Sequence, residues 1–221
     1  DSFQFHPLNF MKALAQDCIN LGASIFENCK FVNYQRNSGK IHASISNNNR
    51  VLNMQSEKVV FATGGYGGKE INELKNYWLP IKTFIGVTKP MGNELHYVLK
   101  KPLGFSDNRR AGNYYRVLPG NRLSWGRGIS AVGNYSRSSL KKVISKEISY
   151  FFPELKNIEI DYVWSGNMAY ASHYMPYVGA TRIGHEDKNV FTIMGFGGHG
   201  MNTAPGAAMV LADFILGKGN N

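Results

Sequence analysis

The sequence predicts a mixed α/β (α+β) fold in two lobes, and three observations carry that prediction. Both ends of the chain hold continuous apolar strands that close in glycine-rich turns. The middle holds aromatic segments of antiparallel texture with one amphipathic helix. The texture switches near residue 80 and again near residue 164 without a long linker, so the chain crosses between the lobes twice.

A chain of 221 residues with 43% hydrophobic and 18% charged residues is long enough, and apolar enough, to bury a sizeable core. Its 24 glycines and 13% aromatic content predict tight turns around a ring-lined cavity or sheet core. No run approaches 18 apolar residues, which excludes a membrane-spanning helix. The first ten residues, DSFQFHPLNF, lack the basic and apolar regions of a signal peptide. They also lack an initiator methionine, and the expectation is a piece of something longer. Cys18 and Cys29 have neither metal-site nor disulfide-framework spacing, and read as buried free thiols of a reducing, cytoplasmic compartment. The net charge of +10 is carried by single residues and pairs (Lys100-Lys101, Arg109-Arg110, Lys141-Lys142), never by a run. That pattern is a solvated positive surface and argues against a nucleic-acid partner.

In chain order, Leu8, Met11, Leu14, Ala15, Cys18 and Leu21 recur at helical spacing from Pro7 to Gly22, a glycine suited to ending a helix. Ala23 to Phe26 reads as a short strand. Phe31 to Tyr34, Ile41 to Ser46 and Val51 to Met54 alternate as an antiparallel meander, turning at Asn37-Ser38-Gly39 and Asn47-Asn48-Asn49. Lys58 to Ala62 is a continuous apolar strand that ends in the turn Thr63-Gly64-Gly65-Tyr66-Gly67-Gly68. In the middle, Ile81 to Thr88, Asn113 to Leu118 and Arg122 to Gly126 read as antiparallel strands. Ser138 to Phe152 is a helix whose apolar face is Leu140, Val143, Ile144, Ile148 and Phe151, stopped by Pro153. Asn189 to Met194 is a strand, Gly195 to Gly200 a glycine-rich turn, and Thr203 to Leu216 a helix.

Gly195-Phe196-Gly197-Gly198-His199-Gly200 has the G-x-G-x-x-G pattern of dinucleotide-binding turns. Only some twenty residues follow it, too few for the second strand and acidic ribose-binding residue of that unit, so the match is accidental by context. The physics of the turn remains. Its glycines let a flat ligand approach the backbone, and the helix after it points free N–H groups at whatever binds. Such a site suits a group that becomes anionic during reaction.

Five segments in order resemble one family. They are His6-Pro7 with Gly22-Ala23; Val59-Val60-Phe61-Ala62-Thr63-Gly64; Asn113-Tyr114-Tyr115-Arg116 followed by Arg122-Leu123-Ser124-Trp125-Gly126; Trp164-Ser165-Gly166 with Met175-Pro176-Tyr177-Val178-Gly179; and Gly195 to Met201. Together they resemble the FAD-dependent amine and amino-acid oxidases of the D-amino-acid oxidase superfamily, in the glycine oxidase and gamma-glutamylputrescine oxidase branch. The resemblance implies a partial FAD-binding (Rossmann-like) lobe, residues 1–79 and 164–221, around an antiparallel substrate-binding lobe, residues 80–163. It implies FAD as cofactor and oxidation of an amine or amino acid C–N bond by hydride transfer to it.

By family position, Phe31 falls near the adenine and Thr63 and Gly64 near the phosphate–ribose side. Gly197, Gly198, His199, Gly200 and Met201 fall near the flavin, where their N–H groups would meet its negative charge. Tyr114, Tyr115, Arg116, Met168 and Tyr170, with His173 nearby, are the substrate-pocket candidates. Glycine oxidase carries an arginine after its W-x-G to clamp a carboxylate, and this chain has Met168 there; a second basic position in the turn is Gly198. Neither holds a carboxylate, which favours an amine or N-methyl compound unless Arg116 substitutes. No proton-transfer catalyst or metal ligand is assigned.

The family's first third, with the true pyrophosphate loop, has no counterpart in these residues. The resemblance therefore implies a C-terminal portion, inactive alone, whose partner is a polypeptide supplying the FAD segment, or another copy of itself. Val59 to Ala62 and Val190 to Met194 would be left as uncovered apolar surface. Two other readings fit parts of the pattern: a non-catalytic basic binding or partner subunit derived from this fold, and a nicotinamide enzyme of a different Rossmann type.

Overall fold

The computed structural model describes residues 4–48, 50–67, 74, 76–101, 103–109, 112–131, 135–181 and 189–218. Asn49, Gly68 and Arg110, named above, lie outside them. The chain divides into two compact units, one of residues 5–80 and 168–221, the other of residues 81–167 together with residues 1–4.

The first unit opens with α1, Pro7–Asn20. His6 caps it, its Nδ1 accepting from the Asn9 N–H at 3.3 Å, and Pro7 fills the first helical position, where a missing N–H costs nothing. Gly22, at φ +93°, ends it in the left-handed region. No residue of α1 is buried: Leu8, Met11 and Leu14 expose about half their surface. Ala23 to Phe26, expected as a strand, is not one. A strand needs a neighbour's ladder, and among the described residues none lies beside this segment, whose Ile25 and Phe26 are exposed.

The meander forms as expected, from β1 (Cys29–Asn37), β2 (Lys40–Asn47) and β3 (Arg50–Ser56) in antiparallel order. Ser38 and Gly39 turn the first hairpin, both at positive φ. Cys18 and Cys29 are free but half-buried rather than buried, and Cys29 Sγ accepts from Asn47 Nδ2 at 3.1 Å.

A second small sheet has the order β10 (Tyr177–Ala180), β11 (Val190–Met194), β4 (Val59–Phe61). β11 and β4 are parallel, with Thr192 opposite Phe61. The expectation of an uncovered β11 is overturned: Val190, Phe191, Thr192 and Met194 are buried. β11 is the central strand. Val190 and Met194 join Ile41, Phe61, Trp78 and Ala169 in a core, while Phe191 turns to the other face and meets Phe214 of α4 (Gly200–Ile215). On β4 Val60 is exposed as expected, whereas Phe61, expected to be uncovered, is buried in that core. Further apolar exposure lies on α1 and on α4, where Met209, Val210 and Phe214 are each more than half exposed.

The second unit is built on a five-stranded antiparallel sheet in the order β6 (Gly104–Ser106), β7 (Tyr114–Leu118), β8 (Arg122–Ser130), β5 (Trp78–Thr88), β9 (Ile160–Ala171). The chain passes between units within β5 and within β9. A short helix, α2 (Glu94–Val98), follows β5. One face of the sheet is covered by α3, Arg137–Phe151, whose Ser136 cap accepts from the Ser139 N–H at 3.1 Å. Leu140, Ile144 and Ile148 are its buried face, packed with Phe84, Leu123 and Trp125. The helix sits close: a side-chain carbon at Gly86 would stand 2.8 Å from Ile144 Cδ1. Among the described residues no helix is long and apolar enough to cross a membrane.

Candidate functional site

β4 and β11 run in the same direction, so the turns that follow them leave the same edge of the sheet. Parallel strands of α/β proteins collect their ligands at that carboxyl-terminal edge, where the loops diverge and backbone N–H groups are left to bind. Thr63 and Gly64 follow β4, and Gly64 stands at φ +56°. Thr63 folds back over Gly67, where a β-carbon would overlap its hydroxyl, which closes the turn. Phe31 lies at a register shift in β1, with its ring edge-on to Phe61 at 5.3 Å, so it abuts the strand that leads into this turn.

Gly195, Gly197 and Gly198 all have positive φ, at +87°, +58° and +93°. A side chain would be strained at each, which is why this segment is glycine. The turn is anchored to β9 by the Gly197 N–H donating to Ala169 O at 2.8 Å and by the Tyr170–Phe196 bridge. α4 starts at Gly200, three residues earlier than the sequence pattern indicated, with His199 as its cap. Thr203 is already helical, its hydroxyl donating back to His199 O at 2.9 Å. The His199 ring makes no capping bond and is exposed. Among the described residues, the N–H groups of Gly198, Gly200 and Met201 have no backbone acceptor, whereas those of Asn202 and Thr203 share His199 O. Three N–H groups at a helix start are thus left without a backbone acceptor, an arrangement that favours an anion.

Three side chains wall the turn. A β-carbon on Gly198 would stand 2.9 Å from Met168 Sδ, one on Gly197 would stand 3.5 Å from the Tyr170 ring, and one on Gly195 would stand 3.5 Å from the Tyr177 ring. Tyr177 in turn meets His173 at 4.5 Å and Tyr77 at 4.6 Å between centroids. His173 Nδ1 accepts from the Met175 N–H, which orients the imidazole against Tyr177. Tyr77 and Tyr177 were not singled out by sequence reasoning. Tyr177 lay inside a quoted motif, but nothing in its spacing showed that it faces Gly195.

Tyr114, Tyr115 and Arg116 lie on β7 in the other unit, and the strand's alternation separates them. Tyr114 lies over Gly126, where a side-chain carbon would fall inside its ring, and its hydroxyl is 3.4 Å from Thr83 Oγ1. Tyr115 points to the opposite face, stacked between Phe105 at 5.3 Å and Trp125 at 4.7 Å on the α3 side. Burial there raises its phenol pKa. Tyr114 and Arg116 therefore share a face that Tyr115 does not, and a pocket on that face excludes the Tyr115 ring. Arg116 has a partner of its own.

Beneath β7 sits a polar hub. Glu147 accepts from Asn113 Nδ2 and Trp125 Nε1, both at 3.2 Å, and its Oε2 lies 2.7 Å from Arg127 Nε as an ion pair without an aligned hydrogen bond. The β6–β7 loop is held by Asp107, which accepts from the N–H groups of Arg109 and Asn113 and from the Arg109 guanidinium. These bonds hold its carboxyl far below the usual carboxylate range. No group of His, Cys, Asp and Glu among the described residues is arranged to hold a metal ion.

Residues 1–214 match the family described as FAD dependent oxidoreductase. The chain belongs to that family. It is 28% identical over 222 residues to a probable oxidoreductase, OrdL, of Haemophilus influenzae, covering 98% of this chain and 48% of the relative. It is 25% identical over 215 residues to the gamma-glutamylputrescine oxidoreductase of Escherichia coli, covering 96% and 48%. The chain thus spans about half the length of the curated relatives it matches. The glycine oxidase of Geobacillus kaustophilus has the same fold over 94% of this chain and 53% of its own, with a TM-score of 0.72 at 19% identity. The turn's geometry fits the family's cofactor. Gly197 and Gly198 form a cradle that side chains would fill, and the N–H groups beside them that lack a backbone acceptor suit an anionic ring edge.

Proposed function

We propose that this chain forms the isoalloxazine-facing and substrate-facing part of an FAD-dependent amine oxidoreductase. The observation that carries the reading is the cradle of Gly197 and Gly198 at the start of α4, walled by Met168 and Tyr170 and beside the Thr63–Gly64 turn. FAD supplies the redox chemistry, accepting a hydride from the carbon beside an amine nitrogen. The chain's own groups do the rest. The N–H groups of Gly198, Gly200 and Met201 stabilise negative charge that develops on the cofactor's ring edge. Thr63, Gly64 and Phe31 hold its phosphate, ribose and adenine side. Met168 and Tyr170 bound the space over the cradle.

The substrate class follows from the lining. Met168 and Gly198 offer no cation to a carboxylate, whereas aromatic faces favour an ammonium group, so amines and N-methyl compounds are the expected substrates. We further propose that polypeptide equivalent to the remaining half of the relatives covers α1, β4 and the outer face of α4. Without it the chain is expected to bind FAD poorly, to be inactive and to self-associate through those faces.

The decisive experiment compares the intact mass and flavin spectrum of this chain with those of the full-length gene product. A yellow longer protein whose flavin bleaches anaerobically with amines, and not with amino acids, supports the whole reading. Bleaching by amino acids alone removes the amine assignment and turns attention to Arg116. A colourless gene product that stays colourless with added FAD overturns the catalytic reading and favours a binding subunit.

A further inference from the structure

The 81–167 unit contains a cleft of about 230 Å³ on the α3 side of its sheet, the face opposite Tyr114 and Arg116. Its floor is apolar, formed by Phe84 and Leu140, both 4% exposed, with Val163 beside them. Its rim is aromatic: Tyr135 stands edge-on to Phe84 at 5.2 Å, and Trp164 rises from β9 with about half its surface exposed. Lys82 and Arg137 supply two positive charges to the same lining, and Ser165 a hydroxyl; no carboxylate is among the described lining residues.

We propose that this cleft binds a small aromatic carboxylate, at a site separate from the glycine-rich turn. Volume limits the occupant: the cleft is somewhat smaller than the ~300 Å³ at which ordinary ligand pockets begin, so it admits a single ring. The ring walls select a flat apolar body, which can lie against Phe84 and offset-stack with Tyr135 or Trp164. The two cations select the charge. Arg137 offers a planar fork suited to a carboxylate, and Lys82, which has a partner of its own, adds a second cation to the lining. The preference is thus opposite in sign to that proposed for the glycine-rich turn, so the site would take a regulatory acid rather than the amine. The W-x-G segment gains a role here, since Trp164 and Ser165 both line the cleft.

The test is a titration of the purified full chain, labelled with 15N at its three tryptophans, with 4-methylbenzoate. The Trp164 indole signal is expected to move saturably while those of Trp78 and Trp125, both buried, stay in place. Arg137→Gln and Lys82→Gln are each expected to weaken binding about tenfold, the scale of one charge-assisted hydrogen bond. Both replace charges on the lining and leave the buried Trp125 signal as a check on folding. The cation 4-methylbenzylamine is expected to leave Trp164 unmoved, and Tyr170→Ala to leave the titration unchanged. A wild-type titration that moves no tryptophan overturns the proposal. So does binding that survives in the Arg137→Gln/Lys82→Gln double variant, or a benzylamine response equal to that of the acid. Loss of binding in Tyr170→Ala would place the acid at the glycine-rich turn and would likewise overturn it.

Discussion

Met168 and Gly198 meet across the glycine-rich turn, the thioether sulfur lying 2.9 Å from where a β-carbon on Gly198 would stand. Gly198 is also held at φ +93°. Gly198→Ala thus meets two obstacles, one steric and one in the backbone. The sulfur ends a flexible side chain and can move aside; the backbone cannot. The substitution is expected to destabilise the chain by about 1–2 kcal/mol. Adding Met168→Ala should recover less than half of that, as read by chemical denaturation. Full recovery would show that contact, not φ, sets the cost.

The alternation of β7 makes Tyr114 and Tyr115 separable by experiment. Tyr115→Ala removes the middle ring of a three-ring stack and is expected to cost about 2–4 kcal/mol. Tyr114→Ala frees only an exposed ring over Gly126, with an expected cost under about 1 kcal/mol, and should change KM for the amine in the full-length protein. Equal stability losses in the two variants would contradict the placement.

Asp107 gives a pH prediction with a definite sign. Its carboxyl is depressed in the folded chain by the Arg109 side chain and the Asn113 N–H. Its contribution is therefore complete above the ordinary carboxylate pKa near ~4 and is lost only as pH falls through the lower folded value. The Asn113 amide should stay protected from exchange into strongly acidic solution. Asp107→Asn should lose that protection at neutral pH. An NMR titration that finds Asp107 protonating at an ordinary pKa would refute the clamp.

The exposed apolar faces of α1 and α4 predict behaviour in solution. Sedimentation of this chain should show concentration-dependent association, weakened by Leu14→Glu and by Phe214→Glu. Leu14→Glu, at a half-exposed position, should not move the melting temperature appreciably, whereas Phe214→Glu also loses the ring contact with buried Phe191 and should lower it. The same two variants should bind less well to polypeptide equivalent to the rest of the relatives. A monomer at all concentrations that also ignores such a polypeptide would remove the proposed covering segment.

The sequence by itself determined the elements whose signal is local. The periodicity of Leu140, Ile144 and Ile148 marked α3 to within one residue at each end, and His6-Pro7 with Gly22 marked α1. The meander's turns were legible because Asn, Ser and Gly are the residues that tolerate positive φ. The glycine-rich turn was legible as a turn for the same reason, and the family followed from five such segments in order.

Tertiary structure alone decided what depends on distant partners. Ala23 to Phe26 has strand composition but no neighbour among the described residues, and β9 was not recognised because Asp161 and the run Ser165-Gly166-Asn167 interrupt its apolar pattern, which becomes a strand through pairing with β5. Where α4 begins was settled by the bonds of Asn202 and Thr203 to His199, not by hydrophobic pattern. Likewise, Tyr114 and Tyr115 are adjacent and chemically identical in the sequence; only the sheet, with α3 on one face, assigns one to a core and the other to an open face. Residue type fixes local conformational preference, but burial and neighbourhood are set by contacts far apart in the chain, and those decide which side chains make a site.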